Sequence, residues 1–142
     1  MNHSNLIKLL TYLGASPFFL AILISLSNRT FLGAEGRQWF LSYGLGILSF
    51  MAGTLWGQVV NASNRIKRIA LATNAITLAA WFAFLLAGTS SVLLILALGF
   101  ITLYMLESFA ISHTQRPDYY LGLRFRVTAL VVLAHGIMLL VI

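Results

Sequence analysis

The sequence predicts an all-α, polytopic membrane protein: a five-helix transmembrane bundle with its N-terminus inside and its C-terminus outside. Of its 142 residues, 60% are hydrophobic and 8% are charged, whereas soluble domains carry about 25% charged residues. A water-soluble fold of this size would lack the polar side chains to cover its surface. The composition therefore excludes a soluble enzyme, a disordered chain and a nucleic-acid-binding domain, and we expect a lipid bilayer, not nucleic acid, around the protein.

Five segments are long and apolar enough to cross a bilayer, which requires about 20 mostly apolar residues for a helix. They form a single transmembrane domain over residues 1–142, with helices at approximately 6–27, 39–60, 69–87, 91–112 and 121–142. No segment alternates apolar and polar residues for about ten positions, as the wall of a transmembrane barrel would.

Each predicted helix has its own justification. The first is interpreted as a retained span, because its apolar run is long and Ser25-Leu26-Ser27 is not an Ala-x-Ala cleavage pattern. Pro17 is where a kink is expected in it. The short turn Gly88-Thr89-Ser90 makes the third and fourth helices antiparallel neighbours. The last apolar run, Val127 to Ile142, is the shortest: as a helix it would be about 24 Å long at 1.5 Å per residue.

The distribution of cations sets the predicted orientation. Lys8 and two clusters of basic residues fall on one side of the membrane, and only Arg29 and Arg37 fall on the other. Lys and Arg collect in cytoplasmic loops, so the first side is predicted to be cytoplasmic. Its basic patch comprises Arg65, Lys67, Arg68, Arg116 and Arg126. Its stretch from Arg116 to Arg126, where cations alternate with aromatic residues, is expected to contact anionic headgroups, with docking of another protein or a lipid headgroup as the alternative.

The second helix carries a stripe of small residues. Ser49, Gly53 and Gly57 recur at helical spacing, and Gly53-x-x-x-Gly57 is a small-xxx-small motif. Such motifs allow a neighbouring backbone to approach closely within lipid. The sequence predicts helix packing at this stripe, either inside the bundle or, alternatively, across a dimer interface.

Glu107 and His135 are the candidate functional polar residues within the spans. An intramembrane carboxylate is a functional candidate by default. The competing interpretation of Glu107 is a structural ion pair with Arg68, Arg124 or Arg126 at the interface. Both interpretations place a charged pair or a charged site near the cytoplasmic ends of the last two helices.

His135 lies about 12 Å beyond Val127 along a helix, which predicts a position near the bilayer centre. A buried neutral imidazole needs a donor and an acceptor, and Ser49, Thr77 or Thr102 is the expected partner. Proton relay, haem ligation and contact with a quinone headgroup are the functional alternatives.

The sequence contains no other residue pattern that is typical of a catalytic, metal or cofactor site. There is no cysteine, which removes disulfides, thiolate metal sites and cysteine nucleophiles. No nucleophile–base–orienter set, phosphate-binding glycine loop or two-ligand metal spacing appears. We therefore predict no catalytic residues, no metal and no cofactor, and hence a protein that is not an enzyme.

Three blocks of residues carry a family resemblance. They are Gly14-x-x-Pro17-Phe18, then Leu48-Ser49-Phe50 with Gly53 and Trp56-Gly57, then Pro117 with Tyr120, Leu123-Arg124 and Thr128. In this order and spacing they resemble the bacterial and mitochondrial family of unknown function that includes transmembrane protein 69. The resemblance implies a small multi-helix protein of a bacterial or mitochondrial inner membrane and implies no activity. Arg124 is the residue of this chain that matches the family's pattern most closely, because the Leu-Arg pair keeps its distance from Pro117 and Thr128. Relatives often have a polar residue at the place of Leu55.

The sequence leads to one main functional hypothesis and two alternatives. The main one is a non-enzymatic protein of the bacterial inner membrane, an accessory or assembly component of a membrane complex that contacts another inner-membrane protein or forms a homo-oligomer. The first alternative is a small transporter or channel with a polar path through Glu107 and His135. The second is a quinone- or haem-handling protein that uses His135.

Overall fold

A computed structural model describes residues 2–59, 66–110 and 119–142. The described part contains five long helices: α1 (His3–Leu26), α2 (Gly36–Val59), α3 (Ile66–Leu86), α4 (Thr89–Ala110) and α5 (Tyr119–Val141). All five are long and apolar enough to cross a membrane. The prediction of an all-helical protein with five candidate spans is confirmed, and these helices indicate a multi-pass membrane protein.

The helices begin two or three residues before the predicted positions. The prediction counted only residues that favour hydrocarbon, whereas helical hydrogen bonding continues through polar residues. At α1, for example, the Asn2 side chain accepts a hydrogen bond from the Asn5 backbone N–H at 2.9 Å and so caps the first turn.

A small hairpin joins α1 to α2. Strands β1 (Thr30–Phe31) and β2 (Ala34–Glu35) pair antiparallel, and the intervening Leu32 and Gly33 have φ values of 52° and 80°. Two positive φ values suit the right-handed twist of a tight hairpin. The Trp39 indole donates to the Phe31 carbonyl oxygen at 2.9 Å, which fixes the hairpin against the start of α2.

The helices pack in a ring in which each contacts the next along the chain and α5 contacts α1. α1 contacts α2 and α5, α4 contacts α3 and α5, and α2 contacts α3 as well as α4 across the bundle. The largest fully buried side chains come from α1, α2, α4 and α5 and include Phe18, Phe40, Leu48, Leu93, Leu96 and Met138. α2 and α4 thus each contact three other helices, and α2 lines both of the concave features described below.

Pro17 does not interrupt α1, which is continuous from His3 to Leu26. Proline has no N–H for the carbonyl four residues before it. Here that carbonyl belongs to Leu13, and it accepts a hydrogen bond from the Ser16 hydroxyl at 2.7 Å. The next carbonyl, of Gly14, accepts one from the Tyr43 hydroxyl of α2 at 2.7 Å. Side chains thus stabilise the turn that Pro17 weakens.

Among the described residues, no neighbouring helix packs closely at Gly53 and Gly57, where the sequence predicts a helix contact. A Cβ added at either glycine would meet no atom within 4 Å, and both residues are exposed. The close approach of α1 and α2 occurs at Gly36, where an added Cβ would lie 2.5 Å from the Ser25 backbone nitrogen. Small-residue spacing identifies a helix face but not whether a neighbouring helix lies against it.

Candidate functional site

Glu107 of α4 and Arg124 of α5 form a buried ion pair. The Arg124 Nε lies 3.4 Å from both carboxylate oxygens of Glu107, and the side chains of Glu107 and Arg124 are 4% and 8% exposed, respectively. Arg124 is thus the described partner among the three arginines that the sequence offered. Arg68 and Arg126 are exposed, and the Arg126 Nε instead donates to the Gly122 carbonyl oxygen at 3.3 Å.

A cavity of about 370 Å³ lies beside this pair, between α1, α2 and α5, and α4 closes it with Phe100. Its size falls in the range of small-molecule sites, about 300–1,000 Å³. Most of its wall is apolar, and its polar side chains come from Thr11, Thr54, Tyr120, Arg124 and Thr128. The cavity was not predicted from the sequence, because it depends on how three helices, among them the first and the last, pack together.

One end of the cavity carries positive charge. Arg124 and Tyr120 line this end, and the Lys8 ammonium lies 5.0 Å from the centre of the Tyr119 ring in a cation–π contact. The cavity mouth is formed by Ile7, Leu10 and Phe50, which are exposed. A molecule in the surrounding lipid could therefore enter from the side, next to the cations.

His135 is enclosed in an aromatic pocket. Its ring centroid lies 5.4 Å from that of Phe18, 4.8 Å from that of Phe40 and 5.6 Å from that of Phe100, and the residue is 0% exposed. The Nδ1 atom is 2.7 Å from the Val131 carbonyl oxygen. Since a carbonyl oxygen only accepts, Nδ1 carries the proton and Nε2 is a bare acceptor.

The hydrogen bonds predicted for His135 are not formed. Nε2 is buried without a hydrogen-bond partner among the described residues. The three side chains proposed as partners bond within their own helices instead: Ser49 to Leu45, Thr77 to Thr73 and Thr102 to Leu98. A Cβ at Gly44 would lie 3.7 Å from Nε2, so this glycine leaves room beside the imidazole.

The structure does not bring Glu107 and His135 together. Arg124, the partner of Glu107, is 11 residues before His135 on α5, which corresponds to about 16 Å. The depth of His135 in the bilayer was predicted from a span that starts at Val127, whereas α5 begins at Tyr119 and ends at Val141. His135 lies about 9 Å from the C-terminal end of the helix, and its position near the bilayer centre stays a prediction.

A second concave feature lies between α2 and α3. This α2/α3 groove of about 350 Å³ is lined by Ser49, Ala52, Gly53, Trp56, Thr73, Asn74 and Thr77. Gly53, Trp56 and Asn74 are exposed, so the groove opens on the outer surface of the bundle. Two residues of the predicted small-residue stripe, the half-buried Ser49 and the exposed Gly53, thus line this groove.

The basic patch is only partly described. Arg68 and Arg126 are exposed, whereas Arg65, Arg116 and the Lys67 side chain lie outside the described residues.

Among residues 2–59, 66–110 and 119–142, no group of three His, Cys, Asp or Glu residues could hold a metal ion.

Comparison with known proteins gives a family and no activity. The model of a family described as "Protein of unknown function (DUF3429)" matches residues 4–140. No curated protein and no solved structure matches the chain. The match covers all five helices, the ion pair and both concave features.

Proposed function

Because the chain belongs to the DUF3429 family, whose description gives no activity, we propose a function from the site. We propose that the protein is a non-enzymatic component of a membrane complex, with an accessory or assembly role, that binds a transmembrane helix in its α2/α3 groove. The helix belongs to another inner-membrane protein or to a second copy of this chain. The observation that carries the proposal is the open position of the groove, with the exposed Gly53 and its polar side chains.

Two properties of the groove favour a helix as its occupant. Gly53 lines the groove and has open space at its Cβ position, as has Gly57 one turn further along α2. A second backbone can therefore come close, and close approach provides much of the packing energy between helices in lipid. In addition, the Asn74 amide is exposed on this surface. An amide that faces hydrocarbon is costly, and a hydrogen bond across a helix interface there contributes about 0.6 kcal/mol or more.

The setting of this proposal is the bacterial inner membrane, with the N-terminus in the cytoplasm. The positions of Lys8, Arg68 and Arg126 support that orientation, because cytoplasmic ends collect cations. The resemblance to the family that includes transmembrane protein 69, which rests on blocks such as Gly14-x-x-Pro17-Phe18, supports an inner membrane. Tags on the two termini should be accessible from opposite sides of the membrane.

A non-enzymatic role fits better than transport through a common polar path. Such a path would have to join Glu107 to His135. The buried positions of α5 between Arg124 and His135 are Val127, Thr128, Val131 and Ala134, and Thr128 alone of these is polar. The rings of Phe18 and Phe100 beside His135 are apolar. A continuous row of polar groups is what an ion path requires.

The experiment uses the full-length chain purified from native membranes in mild detergent, with and without covalent crosslinking. We expect a defined membrane protein, or a second copy, to co-purify with the wild type. Gly53→Leu fills the groove and should abolish this association, as should Asn74→Leu in part. Gly136→Leu is the matched control, because Gly136 also has open space around it and lies on α5, outside the groove.

Two results would count against the proposal. A wild-type protein that remains monomeric and alone, even after crosslinking in its membrane, would contradict it. Equal association of the Gly53→Leu and Gly136→Leu variants would place the contact elsewhere. Native mass spectrometry of the complex distinguishes a second copy from a different protein.

A further inference from the structure

We propose that the cavity between α1, α2 and α5 is a lipid site that holds one acyl chain of an anionic glycerophospholipid, with the headgroup at the end formed by Lys8 and Arg124. This site is distinct from the α2/α3 groove. The inference does not depend on the proposed helix partner, because the two concave features share no lining residue.

The length of the cavity fits one leaflet of a bilayer. Its lining on α5 runs from Tyr120 to Val131, which is about 16 Å along the helix. Half of a hydrocarbon core of about 30 Å is about 15 Å. An acyl chain that starts at the cavity's charged end would therefore end near the bilayer midplane, where Phe18 and Phe100 close the cavity.

The walls fit a hydrocarbon chain. Along the cavity the side chains are mainly apolar, and they include Ile47, Met51 and Val127. The mouth residues Ile7, Leu10 and Phe50 are exposed, so the chain can enter from the membrane without passing through water. Methionine and unbranched acyl chains both adapt their shape, which favours filling an irregular space.

The charges at one end fit an anionic headgroup. Both contacts of Arg124 with Glu107 run through Nε, so Nη1 and Nη2 can donate towards the cavity that Arg124 lines. Lys8 lies at the same end, closer to the N-terminus of α1, and Arg126 is exposed nearby. The described residues at this end thus provide three cations against the one carboxylate of Glu107, and basic pockets between transmembrane helices are typical sites for anionic headgroups.

These positions assign a contact to each part of the lipid. Arg124 lies about 7 Å inside the start of α5, at the depth of the ester oxygens, which accept hydrogen bonds from guanidinium groups. Lys8 lies nearer the interface, where the phosphate is found. A zwitterionic lipid would bring its own cation to the same place and would bind more weakly.

The test is lipid binding by the full-length protein after delipidation in detergent, measured by native mass spectrometry. Three probes are added in separate arms: a phosphatidylglycerol, a phosphatidylcholine with the same acyl chains, and an isoprenoid quinone. We expect one phosphatidylglycerol to be retained per chain, in preference to the other two. Lys8→Gln should weaken its retention about fivefold, the factor for 1 kcal/mol per interfacial cation.

A second variant tests the chain-binding part of the cavity. Gly14 lines the cavity and has open space at its Cβ position, so Gly14→Leu should reduce phosphatidylglycerol retention to background. Gly136→Leu, which lies outside the cavity, should retain the lipid like the wild type. Equal retention of the two phospholipids, preference for the quinone, or unchanged binding by both Lys8→Gln and Gly14→Leu would overturn the inference.

Discussion

The Nε atom of Arg124 is equidistant, at 3.4 Å, from the two carboxylate oxygens of Glu107, and this contact joins α4 to α5 inside the bundle. Both side chains are more than nine-tenths buried. Neither charge is therefore stabilised by water to any large extent. The loop between these two helices lies outside the described residues, and the ion pair fixes the register of the helices independently of it.

Removal of one partner of this pair should strongly destabilise the protein. Glu107→Leu leaves the buried Arg124 guanidinium without the carboxylate that it contacts, so it should lower the free energy of unfolding by about 3–5 kcal/mol. Arg124→Leu removes the guanidinium contact of the buried Glu107 carboxylate and should also lower it. The measurement is reversible unfolding in mixed micelles. Single variants with wild-type stability would mean that the pair is screened by solvent.

The double variant Glu107→Leu/Arg124→Leu is the control for this effect. It removes both buried charges together, so it should be more stable than Glu107→Leu, and the cycle gives the coupling between the two residues. It should nevertheless lose phosphatidylglycerol binding, because it removes the guanidinium that contacts the ester oxygens.

The hydrogen bond from Tyr43 to the Gly14 carbonyl should contribute to stability in spite of its modest energy. Tyr43→Phe removes a donor at 2.7 Å from a carbonyl one turn before Phe18. We expect the free energy of unfolding to fall by about 1 kcal/mol, the usual net value for a hydrogen bond. Tyr12→Phe is the control, since Tyr12 is exposed; equal effects of the two changes would contradict the assignment.

Gly36 should tolerate no side chain. In Gly36→Ala the new Cβ would lie 2.5 Å from the Ser25 nitrogen and 2.6 Å from the Ala21 carbonyl oxygen, and these backbone atoms cannot move aside as a flexible side chain can. Overpacking typically costs about 1–3 kcal/mol, so the melting temperature should fall. Gly46→Ala, where an added Cβ meets nothing within 4 Å, should leave it unchanged or raise it.

The sequence was sufficient to predict those features that depend on composition along one segment. The five candidate spans follow from the length of apolar runs, because the bilayer imposes a single length requirement on every segment. The charged residue Glu107 likewise required a cationic partner, and three arginines were candidates. The choice of Arg124 depended on which face of α5 turns towards α4, and no local pattern specifies that.

The environment of His135 illustrates what could not be predicted. Its neighbours Phe18, Phe40 and Phe100 come from three different helices, so their convergence is a property of tertiary packing. A signal was nevertheless present, since Arg124, Thr128, Val131 and His135 recur every three or four residues along one face of α5. That periodicity identifies the buried face, but not the rings or the cavity that lie against it.

Replacement of His135 by an apolar residue should stabilise the protein. The buried Nε2 acceptor has no hydrogen-bond partner among the described residues, and an unsatisfied buried polar group costs about 1–3 kcal/mol. Leucine has a similar volume and removes that cost, while the Val131 carbonyl keeps its helical hydrogen bond. His135→Leu should therefore raise the free energy of unfolding by about 1 kcal/mol, measured in mixed micelles beside the exposed control His3→Leu. A loss of stability specific to His135→Leu would show that the imidazole has a donor in the membrane, such as a bound water molecule or ligand, and would make the aromatic pocket a functional site.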